Sequence, residues 1–227
     1  MINKKKYAVI VAGGKGTRMG GTIPKQFLPL LGLPVLCHSI MAFAHSLKDV
    51  KIILVAPPDQ MDSARTILKS YTGQLNITIV AGGETRFHSV QNGLKEVDGE
   101  GIVFIHDAVR PLVSYELIAR CLEGAILHGS AIPAIPAIDS MRLMNPDGSS
   151  RPIDRNNLRI IQTPQTFRSD VILPAFNQAY DPSFTDEATV AEKYGAVVFL
   201  VEGDKNNIKI TTPGDMIIAD TLLKTSD

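Results

Sequence analysis

Residues Tyr7 to Lys25 read YAVIVAGGKGTRMGGTIPK, and the fold turns on how this stretch is read. Ala8 to Ala12 is an apolar run long enough for one buried strand. Gly13, Gly14 and Gly16 follow at once, with Lys15, Thr17 and Arg18 among them, and a second glycine pair precedes Lys25. Glycine has no Cβ, so its backbone can take positive φ and bring its N–H groups against a ligand. An apolar strand that empties into a glycine loop with cations is suited to holding phosphates. Lysine and arginine supply charge where backbone dipoles alone are too weak. Two familiar glycine patterns do not fit. Gly14, Gly16 and Gly20 are spaced G-x-G-x-x-x-G, one residue too long for the dinucleotide fingerprint, and no Gly-Lys-Ser/Thr completes a Walker loop. A plain strand-to-helix turn rarely needs so many glycines and three cations.

Working outward, apolar runs alternate with helical periodicities. Leu36, Ile40, Phe43 and Leu47 predict a helix over Pro34 to Ser46. Val50 to Ala56 predicts a buried strand stopped by Pro57 and Pro58, followed by a helix from Asp59 to Tyr71 and a strand over Ile77 to Val80. AGGETRFHSV is a second glycine junction, leading to a helix faced by Phe87, Val90, Leu94 and Val97. Ile102 to Ile105 predicts a strand that runs into His106, Asp107 and Arg110. Ser114 is the expected N-cap of a helix through His128, with Leu117, Ile118, Cys121, Leu122, Ala125 and Ile126 inward. Strands alternating with helices predict an α/β fold with a parallel sheet covered on both faces. Ligands of such sheets bind beyond the C-terminal strand ends, which is where Gly13 to Lys25, Gly82 to Arg86 and Asp107 to Arg110 all fall.

The second half changes texture. Ala131 to Ile138 is extended, and Asn145-Pro146-Asp147-Gly148 is a turn signal between two polar arms. The segment 138–162 is expected to be a protruding β-hairpin arm on a single domain spanning 1–227. A long polar hairpin is unstable alone in water, so the arm, which carries Arg151, Arg155 and Arg159, is expected to pack on a second subunit, with a two-fold homodimer as the closure. The alternative is a mobile surface hairpin. Beyond it, a helix over Arg168 to Tyr180 bent at Pro174, a helix capped by Thr185, strands over Ala196 to Val201 and Asn206 to Thr211, and a last helix from Pro213 to Lys224 are expected.

Composition bounds the function. Lys+Arg and Asp+Glu each number 23 in 227 residues, so the chain lacks the basic excess of a nucleic-acid or membrane-surface binder. Any anionic ligand must meet a local cluster of cations. Cys37 and Cys121 have no metal or disulfide spacing and read as buried thiols of a cytoplasmic protein. No apolar run approaches a membrane span, and the N-terminal stretch has no signal-peptide cleavage site. No Ser-His-Asp or Cys-His set is apparent. Transfer of a nucleotidyl group needs none, because it rests on positioning and on cations around the phosphates. Arg18 and Lys25 are the candidates for that charge. Asp107 is a candidate for Mg²⁺, the alternative being a loop-capping aspartate. Arg110 suits a substrate phosphate or hydroxyl, Arg86 the triphosphate or ribose, and His106 reads as a packed neighbour.

AGGKGTRM with PKQF, then GGETR, HDAVRP, DRNN, TPQ, TDEA and NIKIT, resemble the motif set of the 2-C-methyl-D-erythritol 4-phosphate cytidylyltransferase family of non-mevalonate isoprenoid synthesis, over nearly the whole chain. The resemblance implies a Rossmann-like, mostly parallel sheet of the nucleotide-diphospho-sugar transferase type and transfer of CMP from CTP, with Mg²⁺. It implies that Arg18 and Lys25 stabilise the transition state and that Ala12, Gly13, Gly14, Gly83 and Ser89 contact CTP. It also implies that Lys209, Arg155, Ser140 and Thr163 position the acceptor phosphate, with Arg155 and Ser140 acting across the dimer. Taken without the resemblance, Lys209 is an exposed lysine and Arg155 a partner for an arm–arm salt bridge. Ser140 and Glu84 depart from the threonine and aspartate expected of the family. The competing readings are a cytidylyltransferase for another polyol phosphate, such as ribitol 5-phosphate, and a non-catalytic nucleotide-binding regulator.

Overall fold

The computed structural model describes residues 4–13, 23–73 and 75–225. The opening apolar run forms β1 (Lys5–Val11), its last five residues buried. A single 3-10 turn at Lys25–Phe27 leads into a small hairpin of β2 (Pro29–Leu30) and β3 (Leu33–Pro34). Pro34 then caps α1 (Val35–Ser46), standing just outside the helix it was expected to start. Next come β4 (Val50–Ala56), α2 (Met61–Tyr71), β5 (Ile77–Ala81), α3 (Arg86–Leu94) and β6 (Gly101–Asp107). The helix expected from Asp59 is split, because Pro58–Gln60 makes a separate 3-10 turn. Ser114 caps α4 (Tyr115–His128) by accepting from Leu117 N, and Gly129 at φ +87° ends it.

The chain continues through β7 (Ser130–Pro136), β8 (Met141–Met144), β9 (Ser150–Ile153), β10 (Arg159–Ile161) and β11 (Gln165–Arg168). It closes with α5 (Ser169–Ala175), α6 (Glu187–Lys193), β12 (Leu200–Glu202) and α7 (Pro213–Lys224). The main sheet runs β10-β7-β11-β6-β1-β4-β5, with β12 also on β7. β1, β4, β5 and β6 are mutually parallel, and β11 and β10 run antiparallel to their neighbours. The expected mostly parallel sheet is therefore present.

Period-two alternation divides the core. Ala8, Ile10, Ile52, Leu54, Ile102 and Phe104 face α1, α2 and α4. Val9, Val11, Ile53, Val55, Val103 and Ile105 face α3, α5 and α6. Burying each such side chain stabilises the fold by roughly 1.5–3 kcal/mol, so both faces must be covered. β8 and β9 pair only with each other, and every residue of β8 is exposed.

Five local expectations are corrected. Ile126 is 51% exposed; the buried face of α4 is Leu117, Ile118, Cys121 and Ala125. α5 stops at Ala175 instead of Tyr180, because Pro174 cannot propagate the hydrogen-bond ladder. Asp186, not Thr185, caps α6, forming a reciprocal box with Thr189. The strand expected over Ala196 to Val201 is confined to Leu200–Glu202, and Asn206 to Thr211 forms no strand. TPQTF, for which no strand was expected, supplies β11, inserted between β6 and β7.

Candidate active site

From β1 the chain runs outward to β4 and β5 before it returns to β6 on the other side of β1. The C-terminal ends of β1 and β6 are thus the point where the loops part, and open sheets of this kind leave a crevice there. Val11 and Asp107 form the last rung of that pair. A cavity of about 300 Å³ opens at this place, lined by the ends of β1 and β6, the start of α3, the Lys25 turn and Lys209. Its size is at the lower end for small-molecule sites.

The loops around it are fastened to the strands. Ala12 N–H donates to Val55 O (2.8 Å), Gly82 N–H to Ala56 O (2.8 Å) and Ala108 N–H to Val11 O (3.0 Å). The Ser39 hydroxyl of α1 holds the loop after β6 from behind, within bonding distance of Ala108 O at 3.0 Å and Arg110 O at 3.2 Å. Thr85 caps α3. Ser89 accepts from Gly83 N (3.1 Å) and donates to Thr85 O (2.9 Å), which closes the loop before α3 on itself. A Cβ on Gly83 would lie 2.4 Å from His88 Cβ, so only glycine fits there. A Cβ on Gly13 would meet nothing closer than Ser89 Oγ at 3.9 Å; this glycine faces open space in the cavity wall.

The electrostatic centre is Asp107. Its Oδ2 lies 2.8 Å from Lys209 Nζ and 3.7 Å from Arg110 Nε, and its Oδ1 lies 3.3 Å from Arg86 Nη2. Burial alone would raise its pKa, but Arg86, Lys209 and Arg110 outweigh burial and hold the carboxyl well below the usual carboxylate range. Arg86 also forms a two-pronged pair with Glu187, whose carboxylate is buried. Burial pushes Glu187 up, opposed by the guanidinium. Lys25 is itself buried, and its ammonium donates to Ile210 O at 2.9 Å, joining the N-terminal turn to the chain's last third.

Behind Asp107 runs a chain of hydrogen bonds, buried except at its Arg110 end. Asp107 N–H donates to Thr163 Oγ1 (3.1 Å), and Thr163 Oγ1 lies 3.1 Å from His106 Nδ1. His106 Nε2 lies 3.1 Å from Arg110 O. A carbonyl can only accept, so Nε2 carries the proton and Nδ1 accepts from Thr163. Burial lowers the His106 pKa to about 4, in keeping with a packed neutral imidazole.

Ala12, Gly13, Lys25, Gly83, Arg86, Ser89, Asp107 and Lys209 therefore meet around one cavity. Gly14 and Arg18 lie outside the described residues. Arg110 and Thr163 lie beneath the wall: Arg110 donates to Asn207 O (2.8 Å), and the Thr163 hydroxyl is engaged between Asp107 and His106. Ser140 and Arg155 lie on the arm, away from the cavity lining of their own chain, with Arg155 donating to Ile138 O. Three participants were not singled out in the sequence, although PKQF, TPQ and TDEA contain them. Gln26, buried in the lining, donates to Ala12 O (3.1 Å) and Gln60 Oε1 (2.7 Å), while its own Oε1 has no partner among the described residues. Gln165 and Glu187 are far along the chain and reach the wall only through β11 and α6. The free, buried Cys37 and Cys121 have thiols pushed up by burial to about 11 and about 12, so they are inert.

The described residues contain no group of three or more His, Cys, Asp or Glu that could hold a metal by themselves. A single buried carboxylate facing the cavity nevertheless fits Mg²⁺, which takes one or two carboxylates and completes its shell with phosphate oxygens and water.

A glycine-lined crevice at the switch point of a mostly parallel sheet, with lysine, arginine and one aspartate converging on it, defines a nucleotidyltransferase. The sequence matches the family model for 2-C-methyl-D-erythritol 4-phosphate cytidylyltransferase over residues 7–225. It is 47% identical over 218 residues to the 2-C-methyl-D-erythritol 4-phosphate cytidylyltransferase of Bacteroides fragilis, covering 96% of this chain and 99% of that one. It is 44% identical over 223 residues to the enzyme of the same name from Porphyromonas gingivalis, covering 98% and 99%. Among solved structures, 4-diphosphocytidyl-2C-methyl-D-erythritol synthase from Anaerococcus prevotii superposes with a TM-score of 0.83 at 30% identity, covering 97% of this chain and 99% of that one. The Thermus thermophilus 2-C-methyl-D-erythritol 4-phosphate cytidylyltransferase gives 0.79 at 29% identity, with the same coverage. The chain belongs to the 2-C-methyl-D-erythritol 4-phosphate cytidylyltransferase family.

Proposed function

We propose that this chain transfers CMP from CTP to 2-C-methyl-D-erythritol 4-phosphate, releasing pyrophosphate and serving isoprenoid synthesis. An oxygen of the acceptor phosphate attacks the α-phosphorus of CTP, the new P–O bond forms, and the bond to the β-phosphate breaks as pyrophosphate leaves. Negative charge gathers on the α-phosphoryl and leaving oxygens, and cations fixed beforehand lower its energy. Lys25 supplies one such charge from the cavity wall and Arg18 the second. The loop from Gly83 to Ser89 offers backbone carbonyls to the amino group of cytosine, and Ala12, Gly13 and Gly14 approach the nucleotide. Lys209 draws the acceptor phosphate toward the α-phosphorus. Arg110 and Thr163 brace Asp107 and the loop that carries it. Asp107 would hold Mg²⁺, which supplies charge neutralisation of the triphosphate when bound.

The observation that carries this reading is that Lys25, Arg86, Lys209 and Asp107 meet around one cavity, with Arg86 and Lys209 paired to Asp107, in a chain whose net charge is zero. The arm expected over 138–162 completes the reading, with β8 and β9 as its hairpin and β10 returned to the edge of the main sheet. It exposes Ile138, Met141, Leu143 and Met144, and Arg155 and Ser140 sit on it rather than at their own cavity. The arm therefore serves a homodimer in which Arg155 and Ser140 meet the partner's acceptor. A cytoplasmic location agrees with the two free thiols, and no helix among the described residues is long and apolar enough to cross a membrane. Purified protein given CTP, Mg²⁺ and 2-C-methyl-D-erythritol 4-phosphate should release pyrophosphate, and ribitol 5-phosphate should compete poorly. Turnover with ribitol 5-phosphate alone, or with neither acceptor, overturns the assignment.

A further inference from the structure

Glu187 is an expensive residue to keep. A buried carboxylate loses its hydration, and pairing it with an arginine often returns less than burial costs. Its side chain is 1% exposed, yet both its oxygens are given to Arg86, which lines the cavity. Arg86 divides itself: Nη1 and Nη2 go to Glu187, and Nη2 also approaches Asp107 Oδ1 at 3.3 Å.

Glu187 is held in place through the sheet. Gln165 opens β11 and sits opposite Ile105 in β6, two residues before Asp107. Its side-chain amide donates to Asp186 Oδ2 (2.9 Å), and its carbonyl accepts from Ala188 N–H (2.8 Å). One glutamine thus grips the residues on both sides of Glu187. The circuit runs from the end of β6 through Gln165, the first turn of α6, Glu187 and Arg86, and returns to Asp107.

Resting on the cytidylyl-transfer reading above, we propose that Glu187 is a positioning residue for the triphosphate. It holds the Arg86 guanidinium at the cavity wall and keeps it from collapsing onto Asp107. Without the Glu187 carboxylate, Arg86 has one strong acceptor left, Asp107, and a fork-to-fork pair with it covers the place where phosphate oxygens enter. The expected signature lies in nucleotide binding, not in the chemical step.

Glu187→Gln should raise KM for CTP about tenfold while kcat changes less than threefold. Glu187→Asp keeps the charge one methylene short and should recover part of that loss. In the Arg86→Ala background, adding Glu187→Gln should change KM for CTP no further, because the residue it acts through is gone. Circular dichroism and thermal melts check folding, and where Glu187→Gln fails to fold, Glu187→Asp carries the test. Unchanged KM for CTP in the folded variants, or additive effects with Arg86→Ala, overturn the proposal. Calorimetric titration of wild type and the folded Glu187 variant with CTP, UTP, ATP and GTP separates it from the substrate reading. If another triphosphate binds and the substitution weakens it tenfold, the CTP reading fails and Glu187 stands. If no triphosphate is weakened, Glu187 fails whichever base is bound.

Discussion

The cavity wall and the arm both carry arginines, and the two regions use them in opposite ways. In the wall, Arg86 and Arg110 end on Asp107, Glu187 and the buried carbonyl of Asn207. In the arm, Arg142 and Arg155 end on exposed groups of the arm itself: Ser150 O with Ser150 Oγ, and Ile138 O. Low dielectric makes the wall's ion pairs strong and costly to break, whereas exposed bonds like those of the arm are screened and worth little. The wall's pairs close within one chain. The guanidiniums of Arg142 and Arg155 bond within the arm, which is the condition expected of side chains whose business lies with another molecule.

The contrast breaks most sharply at Lys25. Lys25→Met should lower kcat about 10³-fold, equivalent to about 4 kcal/mol, with the far-ultraviolet dichroism spectrum retained. A loss of less than threefold would remove the wall from the chemistry. Next comes His106, whose pKa falls from 6.5 to about 4 on burial. A group with a depressed folded pKa takes up its proton first in the unfolded chain. The stability that neutral His106 contributes is therefore complete above pH 6.5 and is lost as pH falls toward 4. The full loss is roughly 3 kcal/mol. Chemical denaturation across that range should show the fall, and His106→Gln should flatten it. An equally steep fall in the variant places the proton uptake elsewhere. The smallest effect belongs to the arm. Arg155→Ala should raise KM for the acceptor about 30-fold, about 2 kcal/mol, and leave KM for CTP and the melting temperature unchanged. Sedimentation velocity on the same protein reports whether the dimer persists. If KM for the acceptor is unaltered, the arm's arginines are surface charge and the contrast with the wall loses its meaning.

The parts legible in the sequence were those whose cause is local. β4 was bounded by its apolar run and Pro57, α7 by Pro213, and α4 by Ser114. Gly13, Gly83 and Asp107 stood out because each sits at the C-terminal end of a strand, and Lys25 because it flanks the glycine loop; parallel topology brings such positions together. The missed parts depend on tertiary pairing. β11 has no alternation, because Gln165, Thr166 and Phe167 are all buried, two of them polar. Its pairing on both sides, to β6 and β7, decides its conformation, and a four-residue segment cannot announce that. Glu187 looked like a first-turn acid of a short helix, a place where acidic side chains are common for the helix dipole alone. Only the closure of α6 on β11 turns it toward Arg86. Ile126 erred the other way, being apolar at the right spacing but on a flank of α4 that the described residues leave exposed.

The bond from Lys25 Nζ to Ile210 O joins positions 185 residues apart. A ribosome makes the carbonyl long after the turn that carries the ammonium. β1, β4 and β5 can assemble while synthesis proceeds, but this rim of the crevice waits until Ile210 has emerged. A product interrupted before Ile210 would retain the glycine loop and lack its clasp, so catalytic competence waits on residues far downstream of the loop.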